Sequence, residues 1–134
     1  MTYFVVFVGA GIGGALRHAV YLWMPHLLDT QAFPYDTLSI NVVGSFLMGV
    51  IAEYFVLRFG LRQHLRLFLT TGILGGFTTF SSFSLDAVVL WQQDKVLAAA
   101  IYVVASVVLS IGALVAGLAL VRKSLRPPAA EERL

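Results

Sequence analysis

The sequence predicts an all-α membrane protein with four transmembrane helices, the third of them broken at mid-membrane. Of its 134 residues, 59% are hydrophobic and only 12% are charged, and the mean hydropathy is +0.87, which is typical of membrane proteins. Four apolar runs each approach the roughly 20 residues that a spanning helix needs. They lie at about 3–24, 37–57, 67–91 and 96–121. Because the connections are short, we expect one transmembrane domain over residues 1–134, ending in a basic and then proline-rich tail at 122–134.

The first run combines small residues with an internal positive charge. Gly9 and Gly13 have the GxxxG spacing that lets a second helix approach closely. Arg17, toward the far end of the run, has two interpretations. Its long side chain can snorkel to the membrane interface, or its charge can attract anions into a vestibule, and the sequence leaves both open.

The second run begins with polar side chains at 36–39, a composition that is typical of a helix N-cap. Asn41 and Ser45 follow one helical turn apart, so they share a face of the helix. A lone Asn in a membrane helix usually makes hydrogen bonds between helices. From its position alone, Asn41 is therefore interpreted as a packing residue.

Within the third run, residues 70–86 contradict their apolar surroundings. This stretch, TTGILGGFTTFSSFSLD, contains three glycines, seven hydroxyl side chains and three phenylalanines. A helix interrupted at Gly72, Gly75 and Gly76 would leave backbone groups unpaired, which a membrane tolerates only where protein or an aqueous cavity receives them. Broken helices of this kind occur at ion and substrate sites. The pattern favours a binding or conducting element over a packing face whose Ser and Thr bond back to their own helix.

Basic residues are concentrated on one side of the predicted bundle. Seven fall in the loop after the second run and in the tail: Arg58, Arg62, Arg66, Arg122, Lys123, Arg126 and Arg133. Lys95 lies on the other side, with Arg17 as a second candidate, so the bias predicts cytoplasmic termini. The chain has no cysteine, its three histidines are scattered, and it contains no nucleotide motif or nucleophile with a base. We therefore expect that it is not an enzyme.

Three motifs resemble those of the Fluc-type fluoride channel family, also called CrcB, and the resemblance covers essentially the whole chain. The family pattern GGxxGAxxRY corresponds to GAGIGGALRH at 9–18, with departures at Ala10, Gly14 and His18. The pattern GTLxVNxxGSFxxG corresponds to DTLSINVVGSFLMG at 36–49, and GxxGGxTTFSTF corresponds to GILGGFTTFSSF at 72–83.

The resemblance implies a homodimer of two inverted copies in a bacterial inner membrane. It also implies two fluoride pathways and, on the two-fold axis, a structural sodium ion held by the backbone carbonyls of Gly75 and Thr78. An axis of this kind makes the same carbonyls meet their copies, which gives a small oxygen cage suited to a hard cation.

The family's pathway residues match Phe80 and Phe83 as an aromatic box and Asn41 as an amide donor. Phe80 and Phe83 are three residues apart and share a face, and aromatic edges carry the positive part of the ring quadrupole. Such edges can replace water around a small anion. We assign five further polar residues to the pathway, with helix packing left open for the serines of the fourth run: Arg17, Ser81, Ser84, Ser106 and Ser110.

The resemblance therefore implies a fluoride-selective anion channel that exports fluoride passively from the cytoplasm and relieves its toxicity. The alternative is a small proton-coupled multidrug-type transporter, which would share the size and the inverted dimer but would need a carboxylate in the first span. A structural partner subunit with a filled pore is a third possibility. Inverted dimers usually balance their Lys and Arg residues, so the one-sided charge also leaves open a chain that requires an oppositely oriented homologue.

Overall fold

The structure is a computed structural model that describes residues 1–58 and 62–125. All regular structure in these residues is helical. Four stretches within them are long and apolar enough to cross a membrane: Thr2–His26, Tyr35–Leu57, Gln63–Gln92 and Val96–Leu125. The predicted all-α class with four spans is therefore confirmed. Of the predicted tail, residues 122–125 continue the last helix, and the remainder lies outside the described residues.

The helical elements follow the apolar runs closely. In chain order they are α1 (Thr2–Trp23), a 3₁₀ turn (Met24–His26), α2 (Tyr35–Leu57), α3 (Gln63–Leu67), a π-helical segment (Phe68–Leu74), α4 (Gly75–Phe77), α5 (Phe80–Gln92) and α6 (Val96–Leu125). The third span is therefore built from four consecutive elements, whereas the other three spans each contain one long α-helix.

The second span begins two residues earlier than its apolar run. Buried Pro34 occupies the N-cap position, and no side chain caps the helix, so the predicted cap at 36–39 is wrong. Asp36 lies inside the first turn instead, where its carboxylate accepts the Thr37 N–H at 2.8 Å. A carboxylate is favourable there because the first N–H groups of a helix are unpaired and its dipole is positive at that end.

Glycines bring α1 into backbone contact with the third span. A Cβ atom added at Gly9 would lie 2.8 Å from the Cα atom of Gly72, and one added at Gly76 would lie 2.5 Å from the carbonyl oxygen of Ala10. A Cβ atom at Gly13 would also overlap the backbone of the third span. The close approach predicted from the GxxxG spacing is confirmed, and it depends on small residues in both helices.

The third span is interrupted between Phe77 and Phe80. Thr78 (φ −72°, ψ 157°) and Thr79 (φ −153°, ψ 117°) have extended backbones. The sequence predicted an interruption at the three glycines, and this position is wrong because the glycines lie in helical turns. Two of the three instead allow close contact with α1.

α2 and α6 pack closely against each other at a second pair of glycines. A Cβ atom at Gly49 would lie 3.0 Å from the carbonyl carbon of Leu114, and Gly117 packs in the same way against the backbone of α2. At one end of this pair, Arg122 donates to both carboxylate oxygens of Glu53, at 2.7 and 3.2 Å. Because the Glu53 side chain is buried, this ion pair fixes the ends of the two helices against each other.

Candidate ion pathway

A pocket of about 330 Å³ lies beside the interruption of the third span, between α2, α5 and α6. Its wall consists of Asn41, Ser45, Thr78, Thr79, Phe80, Phe83, Ser106, Val107, Ser110 and Ile111. The fold thus brings together in one pocket five side chains that the sequence assigned to the pathway, from three separate spans. These are Asn41, Phe80, Phe83, Ser106 and Ser110.

Phe80 and Phe83 form one aromatic corner of the pocket. Their ring centroids are 5.3 Å apart with an angle of 46° between the ring planes, so the two residues share a face as predicted. Phe80 is 79% exposed, whereas Phe83 is half-buried. Both rings therefore line the same pocket, and the Phe80 ring remains exposed in the single chain.

Ser106 and Ser110 carry hydroxyl groups that have no hydrogen-bond partner in the described part of the chain. Serine in a helix commonly donates to the carbonyl four residues earlier, and neither of these does so. An unsatisfied buried hydroxyl costs about 1–3 kcal/mol. An anion or a water molecule in the pocket would supply the missing partner for both donors.

Ser81 and Ser84 lie outside the wall of this pocket. The Ser84 hydroxyl donates to the carbonyl oxygen of Phe80 at 2.9 Å, within its own helix. The Ser81 hydroxyl lies 3.1 Å from the Thr79 hydroxyl. Both serines therefore have local partners, in contrast to Ser106 and Ser110.

Asn41 is paired with the backbone of Thr79. The Asn41 Nδ2 group donates to the Thr79 carbonyl oxygen at 3.0 Å, and the Asn41 Oδ1 atom accepts the Thr79 N–H at 2.8 Å. The amide thus has one Nδ2 hydrogen that is not used by Thr79, since a primary amide has two.

The positive charge of Arg17 lies next to the interruption of the third span. Its Nη1 atom lies 3.4 Å from the carbonyl oxygen of Thr78, which is a long hydrogen bond. The side chain is half-buried and is not part of the pocket wall. Arg17 therefore places positive charge next to the interruption and not inside the pocket itself.

The carbonyl oxygens of Gly75 and Thr78 are the predicted ligands of a sodium ion. If the helix continued, the Thr79 N–H would donate to the Gly75 carbonyl, but it donates to Asn41. Gly75 is also exposed. Within residues 1–58 and 62–125, no group of three or more His, Cys, Asp or Glu could hold a metal ion. A hard cation at this position would therefore be held by carbonyl oxygens. The Thr78 carbonyl oxygen has two lone pairs, so one remains for a cation while the other accepts from Arg17.

Comparison with known proteins identifies the family. Residues 4–118 match the family described as CrcB-like protein, Camphor Resistance (CrcB). The chain belongs to this family. The match includes every residue of the pocket wall, and it confirms the resemblance that the three motifs indicated.

Several curated proteins are similar to this CrcB-like chain over nearly its whole length. The "Fluoride-specific ion channel FluC" of Granulibacter bethesdensis is 58% identical over 126 residues, which cover 94% of this chain and 98% of that protein. The FluC protein of Rhodopseudomonas palustris is 55% identical over 122 residues, covering 91% and 98%. The "Fluoride-specific ion channel FluC 2" of Nitrobacter hamburgensis is 49% identical over 122 residues, with the same coverage.

Sequence reasoning missed two residues of the CrcB-like site. Thr79 accepts the Ser82 N–H at 3.1 Å and so caps α5, in addition to its pairing with Asn41. Tyr102 is fully buried, its ring lies 5.5 Å from that of Phe83, and its O–H donates to a carboxylate oxygen of Asp86 at 3.1 Å. A signal for Tyr102 was present, because it is the sole aromatic residue of α6.

Proposed function

We propose that this chain forms a fluoride-selective anion channel that lets fluoride leave the cytoplasm passively and so relieves fluoride toxicity. The observation that carries this proposal is the pair of buried, unpartnered hydroxyls of Ser106 and Ser110 in the same pocket as Phe80 and Phe83. The names of the curated relatives point to the same ion.

The chemistry of the pocket suits a small anion. Fluoride holds its water tightly, so it enters a protein only where other donors replace that water. Hydroxyl hydrogens and the positive edges of aromatic rings are such donors, and they carry no full charge that would trap the ion. Asn41 contributes a third kind of donor through its unused amide hydrogen, and Arg17 adds positive charge nearby.

Passive transport is sufficient for export. Hydrogen fluoride crosses a membrane uncharged and dissociates in the less acidic cytoplasm, which accumulates the anion. An inside-negative potential then drives fluoride outward, by about 2.3 kcal/mol per 100 mV. No energy source other than this potential is required.

The functional unit in this proposal is a homodimer of inverted copies in a bacterial inner membrane, which requires dual topology. Phe80 is 79% exposed in a single chain, so a second copy would enclose the aromatic corner. A two-fold axis in the membrane plane would also produce two equivalent pathways. In this arrangement the interruption at Thr78 and Thr79 lies near mid-membrane, where a pocket and a partner receive its backbone groups.

A sodium ion on that axis would hold the two copies together. The carbonyl oxygens of Gly75 and Thr78 from both copies are its proposed ligands, because oxygen ligands suit a hard cation. The ion would neutralise the carbonyl dipoles where the helix ends, which is a structural role.

The alternative of a proton-coupled multidrug-type transporter has no support. Such a transporter would need a carboxylate in the first span, and Thr2–Trp23 contains no Asp or Glu. The relatives named above all carry the name of a fluoride channel.

Fluoride efflux from liposomes that hold only this protein tests the proposal. Liposomes loaded with potassium fluoride and treated with a potassium ionophore should release fluoride far faster than protein-free liposomes. Matched liposomes loaded with potassium chloride should release little chloride. Fluoride release at the protein-free rate, or equal release of the two halides, would rule out a fluoride-selective channel made by this chain.

A further inference from the structure

We infer that Asn41 is a positioning residue that holds the interruption of the third span in its extended conformation. Its side-chain amide makes two hydrogen bonds to one residue, accepting the Thr79 N–H at 2.8 Å and donating to the Thr79 carbonyl oxygen at 3.0 Å. This inference deepens the proposed function and rests on it for its effect on fluoride flux.

The conformation of Thr79 makes this double contact possible. In an extended residue the N–H and C=O groups point to the same side, as they do in a hydrogen-bonded pair of β-strand residues. In a helix they point in opposite directions along the axis, so a single amide cannot reach both. Thr79 is extended, with φ −153° and ψ 117°. The Asn41 amide makes the two hydrogen bonds that a neighbouring β-strand would make. The pair therefore stabilises the extended form specifically and opposes closure of the helix.

Burial makes the pair energetically important. Thr79 as a whole residue is only 6% exposed, so water does not readily replace Asn41 as a partner for its backbone. The Thr79 hydroxyl is committed elsewhere, because it accepts the Ser82 N–H at 3.1 Å. Asn41 is therefore the partner that satisfies this backbone within the described residues.

The extended residues set the positions of groups on either side of the interruption. Thr78 fits against α2 only because Gly44 has no side chain, since a Cβ atom there would overlap the Thr78 methyl group. Phe80 begins α5 directly after Thr79, so the direction of α5 depends on the Thr79 backbone. If Thr79 became helical, both the Thr78 carbonyl and the Phe80 ring would move. Asn41 thus acts on the pathway through the backbone of the third span.

An amide exchange experiment tests the contact itself. We would measure deuterium exchange of the Thr79 amide by NMR in the purified, detergent-solubilised protein, comparing Asn41→Ala with Ser45→Ala. Ser45 lies one turn along α2 at the wall of the same pocket, and no hydrogen bond joins it to the third span in the described residues. Asn41→Ala should accelerate Thr79 exchange by about tenfold or more, as expected for loss of a buried partner, while Ser45→Ala should leave it within about twofold. Unchanged exchange in Asn41→Ala would overturn the inference.

A backbone substitution keeps the inference testable if Asn41→Ala fails to fold. Replacing Thr79 by its α-hydroxy acid converts its amide to an ester, which removes the N–H that Asn41 accepts and also makes the Thr78 carbonyl a weaker acceptor for Arg17. Fluoride efflux should then fall by about tenfold. The matched control is the same replacement at Leu97, which is exposed in the first turn of α6, where N–H groups lack helical acceptors. Efflux that is equal in the two ester proteins would overturn the positioning role. Absence of fluoride efflux from the unmodified protein would refute the channel function and leave the exchange result standing.

Discussion

Phe80 and Phe83 face the same pocket from different surroundings. Phe80 is 79% exposed and contacts Phe83 with ring centroids 5.3 Å apart, whereas Phe83 also packs on buried Tyr102 at 5.5 Å. Substitution of the exposed Phe80 ring should therefore disturb the fold of the single chain less than substitution of Phe83, which also removes a contact with buried Tyr102. Comparing substitutions at the two positions therefore distinguishes the effect of an aromatic edge on fluoride efflux from its effect on the stability of the fold.

We predict that Phe80→Ile and Phe83→Ile each reduce fluoride efflux by about tenfold or more, because isoleucine fills volume without a positive edge. Phe80→Ile should lower thermal stability less than Phe83→Ile does, because Phe83 also packs on buried Tyr102. Phe4, which is 71% exposed at the start of α1, provides the control, and Phe4→Ile should conduct normally. Normal efflux in both pocket variants would remove the phenylalanines from the mechanism.

At the scale of the helix, packing depends on which glycines meet a neighbouring backbone. A Cβ atom at Gly13 would overlap the backbone of the third span, whereas one at Gly11, two residues earlier, would meet nothing within 4 Å. The same substitution in the same helix thus has opposite consequences.

Gly13→Ala should destabilise the protein by about 1–3 kcal/mol, because α1 and the third span must separate to admit the methyl group. Gly11→Ala should be neutral or stabilising by up to about 1 kcal/mol, since alanine favours helix. Thermal unfolding of the purified proteins in detergent compares the two. Equal melting temperatures would contradict the close backbone contact between α1 and the third span.

The interruption of the third span should bind a cation in the dimer. An experimental structure should contain density between the carbonyls of Gly75 and Thr78 from both copies, at distances that suit sodium and not water. Purification in a bulky organic cation instead of sodium should lower dimer stability, since the carbonyl dipoles would then face one another without compensation. A dimer that is equally stable in both salts, with no density at this position, would contradict the proposed site.

The four helices could be predicted from the apolar runs, because each run is long enough to span a membrane and contains at most one charged residue. The position of the interruption could not, since glycine serves equally to break a helix and to let another backbone approach, and at Gly72 and Gly76 the second use applies. Thr79 lies 38 residues from Asn41, its partner, and no local pattern encodes such a contact. The residue types therefore predict which polar side chains line the pocket, whereas their hydrogen-bond partners depend on how the helices pack.

For the whole molecule, the distribution of basic residues and the inverted dimer make opposing demands. Arg58, Arg62 and Arg66 favour one orientation of the chain, while an inverted homodimer needs both. Two features reduce the bias. Arg122 is paired with Glu53, and in the sequence Arg126 and Arg133 follow the last apolar run, with Arg133 beside Glu131 and Glu132. We therefore keep the inverted homodimer in preference to a chain that needs an oppositely oriented homologue.

Cysteine labelling tests this orientation. A single cysteine is introduced into the loop at 25–35 and exposed to an impermeant reagent in intact cells that express only this chain. About half of the molecules should be labelled if the chain inserts both ways. Complete labelling together with loss of fluoride resistance would contradict the homodimer, and lysed cells provide the control for full reactivity.

The central claim is that this chain alone conducts fluoride selectively and without coupling to another ion. The most direct test is the reversal potential of the current through the purified protein in a planar bilayer. A tenfold fluoride gradient should set the reversal potential at about 59 mV, the Nernst value for one charge, and neither a pH gradient nor added chloride should move it. A reversal potential that follows the pH gradient or the chloride gradient would contradict the claim, as would the absence of a fluoride current.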